Sequence, residues 1–149
     1  MISKILVPSD GSKTAKKAAA YAVDLAKQLN ASIIILSVID QRSLIAQTVS
    51  AAETPRHIVE PIDDYLKEAA EKYTGEIKKL CDKKGITAQV SIKMGHPVEE
   101  IIKEAKRSKT DLIVMGSHGR SALSATVLGS VSYGVIHNDR NIHVLIVRG

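Results

Sequence analysis

Two stretches of this chain concentrate residues able to hold a charged ligand. One is Pro8-Ser9-Asp10-Gly11-Ser12. The other opens with Gly116-Ser117-His118-Gly119-Arg120 and runs on to Gly129-Ser130, which gives the spacing Gly116-x2-Gly119-x9-Gly129-Ser130. Glycine lets a backbone N–H approach an anion with no Cβ in the way. Gly129-Ser130 stands where a helical pattern begins. There, unpaired N–H groups and a dipole of roughly half a positive charge favour phosphate. Ser130 and Ser132 add hydroxyl donors. From the residues alone this is a phosphate cradle in two pieces, and the same spacing reads equally well as a turn followed by a helix cap.

What is missing narrows the chemistry. No Walker A lysine follows the glycines, which argues against an ordinary P-loop ATPase. No G-x-G-x-x-G follows the first strand, which argues against a dinucleotide dehydrogenase. No paired carboxylates and no Ser-His-Asp set can be assigned near the cradle. Phosphoryl transfer needs positioned cations and a positioned nucleophile. A cradle of neutral donors binds nucleotide yet stabilises a transition state poorly, so the expectation is a binder with slow or no hydrolysis and no catalytic residue. Asp10 has two readings, a contact to adenosine or ribose hydroxyls and a helix N-cap. His118, between glycines, reads as exposed and as a ligand contact rather than a general base. Arg120 either reaches a phosphate or faces solvent. His57, His96, His137 and His143 are scattered, without metal-site spacing. Cys81 is the single cysteine, so no internal disulfide is possible. It follows Ile77 and Leu80 in a helical pattern and reads as a buried small hydrophobe.

The elements that must position these loops follow from periodicity. A 149-residue chain fits one domain, 1–149, and buries enough surface for its own core. With no Trp, no Phe and four Tyr, that core must be Ile, Val, Leu and Ala. The lack of aromatics also argues against a stacking platform for single-stranded nucleic acid. The net charge of +5 is spread among alternating Lys and Glu between Asp64 and Lys109, as on solvated helix faces, so nucleic acid is not the expected partner. The first residues contain no apolar run suited to a signal peptide or a membrane span. A cytoplasmic protein without membrane contact is expected.

Apolar runs at Ile2–Val7, Ser32–Ile39 and Asp111–Met115 predict buried strands. Thr87–Met94 alternates, as a half-exposed or edge strand does, and Ile142–Val147 is the last strand. Helical spacing covers Ser12–Leu29. A second helix opens with Pro61 in its first turn and stops at Gly85. A third opens near Pro97 and ends near Ser108, and a fourth spans Gly129–His137. Residues 40–60 predict a long connection, with Leu44, Ile45 and Val49 able to make a short helix. The β-α-β-(loop)-α-β-α-β-α-β order predicts an α/β fold, a three-layer α/β/α sandwich around a five-stranded parallel sheet. Strand orders 3-2-1-4-5 and 2-1-3-4-5 both remain open from the residues. The first would place the two Gly/Ser loops beside the crevice where the order reverses.

From Ile2 to Arg148 the chain resembles the universal stress protein family. The resemblance rests on Ile5-Leu6-Val7-Pro8-Ser9-Asp10-Gly11-Ser12, on Leu36-Ser37-Val38-Ile39-Asp40, and on Asp111 to Ser132 (DLIVMGSHGRSALSATVLGSVS), which carries the G-x2-G-x9-G-S signature of the ATP-binding branch. It implies order 3-2-1-4-5, Rossmann-like and similar to adenine nucleotide alpha hydrolases. By position it implies that Pro8, Ser9, Asp10 and Val38 line the adenosine end. Met115, Gly116, His118 and Gly119 would border ribose and phosphate. Gly129, Ser130, Val131 and Ser132 would hold the phosphates. It implies ATP as ligand, with Mg2+ or Mn2+ carried in by the nucleotide, and a stress-response signalling role. It further implies a homodimer paired through the last strand, His143–Val147. The alternatives are an ATP-cleaving enzyme of low turnover and a dimeric scaffold that makes no use of nucleotide. The chain departs from the family at His137-Asn138-Asp139-Arg140-Asn141, where relatives often have a Pro-rich turn.

Overall fold

The computed structural model describes residues 1–40, 56–119 and 128–149. Five strands, β1 (Lys4–Pro8), β2 (Ser32–Ile39), β3 (Ala88–Met94), β4 (Leu112–Gly116) and β5 (His143–Val147), form one sheet in the order β3-β2-β1-β4-β5. Every pairing is parallel. Among the described residues, four helices connect them: α1 (Lys13–Leu29), α2 (Arg56–Lys83), α3 (Pro97–Arg107) and α4 (Ser130–Asn138). The predicted three-layer α/β/α class and the order 3-2-1-4-5 are both present.

Strand alternation builds two cores. Ile5, Val7, Ile33, Ile35, Leu112 and Val114 point to one face, under α1 and α2. Leu6, Ile34, Leu36, Ile113 and Met115 point to the other, under α3 and α4. Ile5, Leu6 and Val7 are fully buried, as a central parallel strand covered on both faces requires. α1 meets the sheet with Ala15, Ala18, Ala19, Ala22 and Ala26, small residues that bring its axis close to β1 and β4. Ser12 is its N-cap, accepting from the Ala15 amide at 3.2 Å, and Asn30 closes it in the left-handed conformation. Cys81 is buried in the α1/α2 core, as its neighbours predicted.

One boundary differs materially. The helix expected to open at Pro61 begins at Arg56, five residues earlier. Pro61 thus lies just past the turn whose amides have no intrahelical acceptor. It removes one hydrogen bond near the helix end, and the long run behind it carries the helix across that gap. The remaining limits shift by one or two residues. The expected short helix at Leu44, Ile45 and Val49, within the 40–60 connection, lies outside the described residues.

β3 is an edge strand with exposed Val90 and Met94, as its alternation predicted. β5 is the other edge. Asp139 holds the turn into it. Its carboxylate accepts from the amides of Asn141 and Ile142 at 2.9 and 3.0 Å, and from Lys106 Nζ at 3.0 Å.

Candidate functional site

The strand order reverses between β1 and β4. The chain leaves β1 for α1 on one face and leaves β4 towards α4 on the other. In open α/β sheets the crevice at that reversal, past the carboxyl ends of the strands, is where ligands bind. Both Gly/Ser loops lie there.

The loop after β1 is tightly tied. The Ser9 amide donates to the Leu36 carbonyl at 2.8 Å, and buried Ser9 Oγ accepts from the Gly11 amide at 3.3 Å. Gly11 takes φ +79°, a conformation that favours glycine. Asp10 Oδ1 accepts from the Ser12 amide at 2.9 Å, so Asp10 shapes the turn and Ser12 caps the helix. The N-cap reading of Asp10 is therefore not met.

The loop after β4 folds back against the start of α1. His118 is half-buried rather than exposed. Its Nδ1 lies 3.0 Å from Ser117 Oγ, and its Nε2 lies 3.0 Å from Thr14 Oγ1. The ring thereby joins the β4 loop to α1. A Cβ placed on Gly116 would come 2.6 Å from Thr14 Cγ2, and one on Gly119 would come 2.5 Å from Asp10 Oδ2. Gly116 therefore stands against the first turn of α1, and Gly119 against the loop after β1.

The third glycine seats α4. Its amide donates to the Ser117 carbonyl at 2.6 Å, and a Cβ there would come 2.9 Å from His118 Cα. Ser132 is buried, and its Oγ donates to the Gly116 carbonyl at 2.7 Å. Two expected phosphate donors, the Gly129 amide and the Ser132 hydroxyl, are thus engaged within the protein, where they fix the helix start to the end of β4. The helix ladder begins with the Tyr133 amide on the Gly129 carbonyl. The amides of Ser130, Val131 and Ser132 precede it and have no intrahelical acceptor. They and the exposed Ser130 side chain are the donors left at the start of α4.

The other predicted residues fall around the same place. Pro8 ends β1, half-buried. Met115 is buried near the end of β4, and Val38 and Val131 pack on the same apolar cluster. Arg120 lies outside the described residues. Thr14 and Ser117 were missed from sequence: Thr14 reads as one polar position in an alanine helix, and only its contact with His118 reveals its place. Among the described residues no group of three His, Cys, Asp or Glu could hold a metal ion. A separate groove of about 670 Å3 runs between α3 and α4, with Val98, Ile102, Lys103 and Gly134 on its walls and Ser130 at its rim.

Comparison with known proteins places this geometry. The profile of the Universal stress protein family matches residues 1–148. Universal stress protein YxiE of Bacillus subtilis is 36% identical, with 99% of this chain and 100% of that protein covered. The solved structure of MJ0577, a universal stress protein of Methanocaldococcus jannaschii, is 33% identical with a TM-score of 0.84, covering 100% of this chain and 97% of that one. A universal stress protein solved in complex with cAMP has the same fold at 24% identity and a TM-score of 0.65, covering 99% of this chain and 97% of that one.

Proposed function

The chain belongs to the universal stress protein family, and from that premise we propose that it binds ATP at the β1/β4 crevice and serves as a stress-response signalling module. The observation that carries this reading is the seating of α4. Gly129 and Ser132 tie its first turn to the end of β4, so three amides without intrahelical acceptors stand at the strand-order reversal. In this reading those amides and Ser130 hold the phosphates. Met115, Gly116, His118 and Gly119 border ribose and phosphate, and Pro8, Ser9, Asp10 and Val38 line the adenosine end. Complexes such as that with cAMP support an adenine nucleotide as the class of ligand. Mg2+ or Mn2+ would arrive on the nucleotide and neutralise phosphate charge.

The donors of the cradle are neutral, and the His118 ring is engaged with Thr14 and Ser117. Neither feature supplies the positioned cation and nucleophile that rapid hydrolysis requires. Binding with slow or no turnover follows, in a protein we place in the cytoplasm. We further propose that β5 pairs with β5 of a second copy.

The test is mass spectrometry of nucleotide released from the purified protein, followed by a thermal melt of stripped protein with Mg-ATP. Ligand at about 100 times its Kd adds about 2.7 kcal/mol. For a chain of this size that raises Tm by roughly 5–10 °C. No released nucleotide and no shift would overturn the proposal.

A further inference from the structure

We propose that a lysine face at the start of α1 captures the polyphosphate end of the incoming nucleotide and makes the site prefer ATP to AMP. This rests on the nucleotide reading above. Helix α3 carries charges as a macrodipole favours them, with Glu99 and Glu100 in its first turn and Lys106 and Arg107 in its last. Helix α1 does the opposite. It has no acid in its first turn, and Lys13, Lys16 and Lys17 fill the exposed positions of its first two turns. The spacing i, i+3, i+4 puts the three on one face. None of them pairs with a carboxylate among the described residues.

The placement of this face connects it to the site. Between the lysines, Thr14 and Ala15 turn inward, and Thr14 touches both Gly116 and His118. Ser12, one residue before Lys13, is held by Asp10. The lysines gather at the crevice end of the helix. The next ionisable groups along α1 are exposed Tyr21, then Asp24, which is paired with Lys84, and in the last turn Lys27, whose ammonium donates to the Lys84 carbonyl. An acidic protein partner would use a longer basic stripe than this, whereas a phosphate tail needs only the rim. Exposed ammonium groups act at range, across a Debye length of about 8 Å at physiological salt, and raise association rates. The first-turn amides of α4 then hold the phosphate by contact.

The experiment compares wild type with the triple variant Lys13→Gln, Lys16→Gln and Lys17→Gln. Stopped-flow and titration calorimetry with ATP, ADP and AMP, at low and physiological salt, give the rates and Kd values. The expected result is about a tenfold slower ATP association at low salt, a correspondingly weaker ATP Kd, and a loss that shrinks from ATP to ADP to AMP. The steep salt dependence seen with wild type should flatten. Single Lys16→Gln and Lys17→Gln variants should move the same way by smaller factors, and circular dichroism checks that every variant is folded. Unchanged ATP binding and salt dependence in a folded triple variant overturns the capture role while leaving the nucleotide reading intact. Equal losses for AMP and ATP overturn it as well. Wild-type protein that binds no adenine nucleotide sinks the nucleotide reading, and the lysine role with it.

Discussion

Single atoms decide what each glycine of the motif does. Gly119 and Gly129 read in the sequence as ligand-facing positions, and the structure gives them a task of their own within the protein. A side chain on either would strike Asp10 Oδ2 or His118 Cα before any ligand arrived. Gly129→Val should therefore abolish the ATP-induced rise in Tm and also cost about 1–3 kcal/mol of stability through overpacking, read from urea unfolding with and without Mg-ATP. Gly75 is the contrast. It lies within α2 with nothing within 4 Å of a built Cβ. Gly75→Ala should stabilise by about 0.5–1 kcal/mol and leave the ATP response intact. Ser132→Ala leaves the Gly116 carbonyl without its hydroxyl donor, so a loss of about 1–2 kcal/mol is expected from the same unfolding measurement. A Ser132 that served only the ligand would instead be neutral in the apo protein.

At the scale of elements, the turn between α4 and β5 depends on one carboxylate, that of Asp139. Hydrogen bonding from Lys106, and then from the amides of Asn141 and Ile142, holds the Asp139 carboxyl below the usual carboxylate range. A carboxyl depressed in the folded state contributes stability above its unfolded pKa of about 3.9 and loses it as pH falls through the folded value. Asp139→Asn should therefore destabilise by about 1–3 kcal/mol at pH 7, and the gap from wild type should narrow towards pH 3 in urea melts. A gap independent of pH would show that the charge on Asp139 is immaterial. Asp111 contributes with the same sign, its carboxyl lowered by the Ser3 amide, the Ser3 hydroxyl and the Lys4 amide. Among the described residues, helix and strand existence was readable because amphipathic periods of 3.6 and 2 are local properties. The start of α2 was not, because proline is a local signal for a helix start and the helix begins five residues before it.

For the molecule as a whole, the open edge of β5 bears on assembly. Pairing of that edge between two copies predicts a solution mass near twice the 16.1 kDa of the chain, measured by sedimentation equilibrium. A mass of one chain at micromolar concentration would refute the pairing. The alternation of elements, the aliphatic core, the edge character of β3 and the glycine spacing all follow from residue order, because each depends on near neighbours. Strand order was different: two orders satisfied the same elements, and the resemblance to a family chose between them before the pairing of β1 with β4 displayed it. Which donors remain for a ligand was beyond any local pattern. Thr14 and His118 meet across 104 residues of chain, and Ser132 reaches back 16 to Gly116. Hydrogen-bonding capacity is written in residue type, but whether it is used within the protein or left for a partner depends on which distant groups the packed sheet brings within 3 Å.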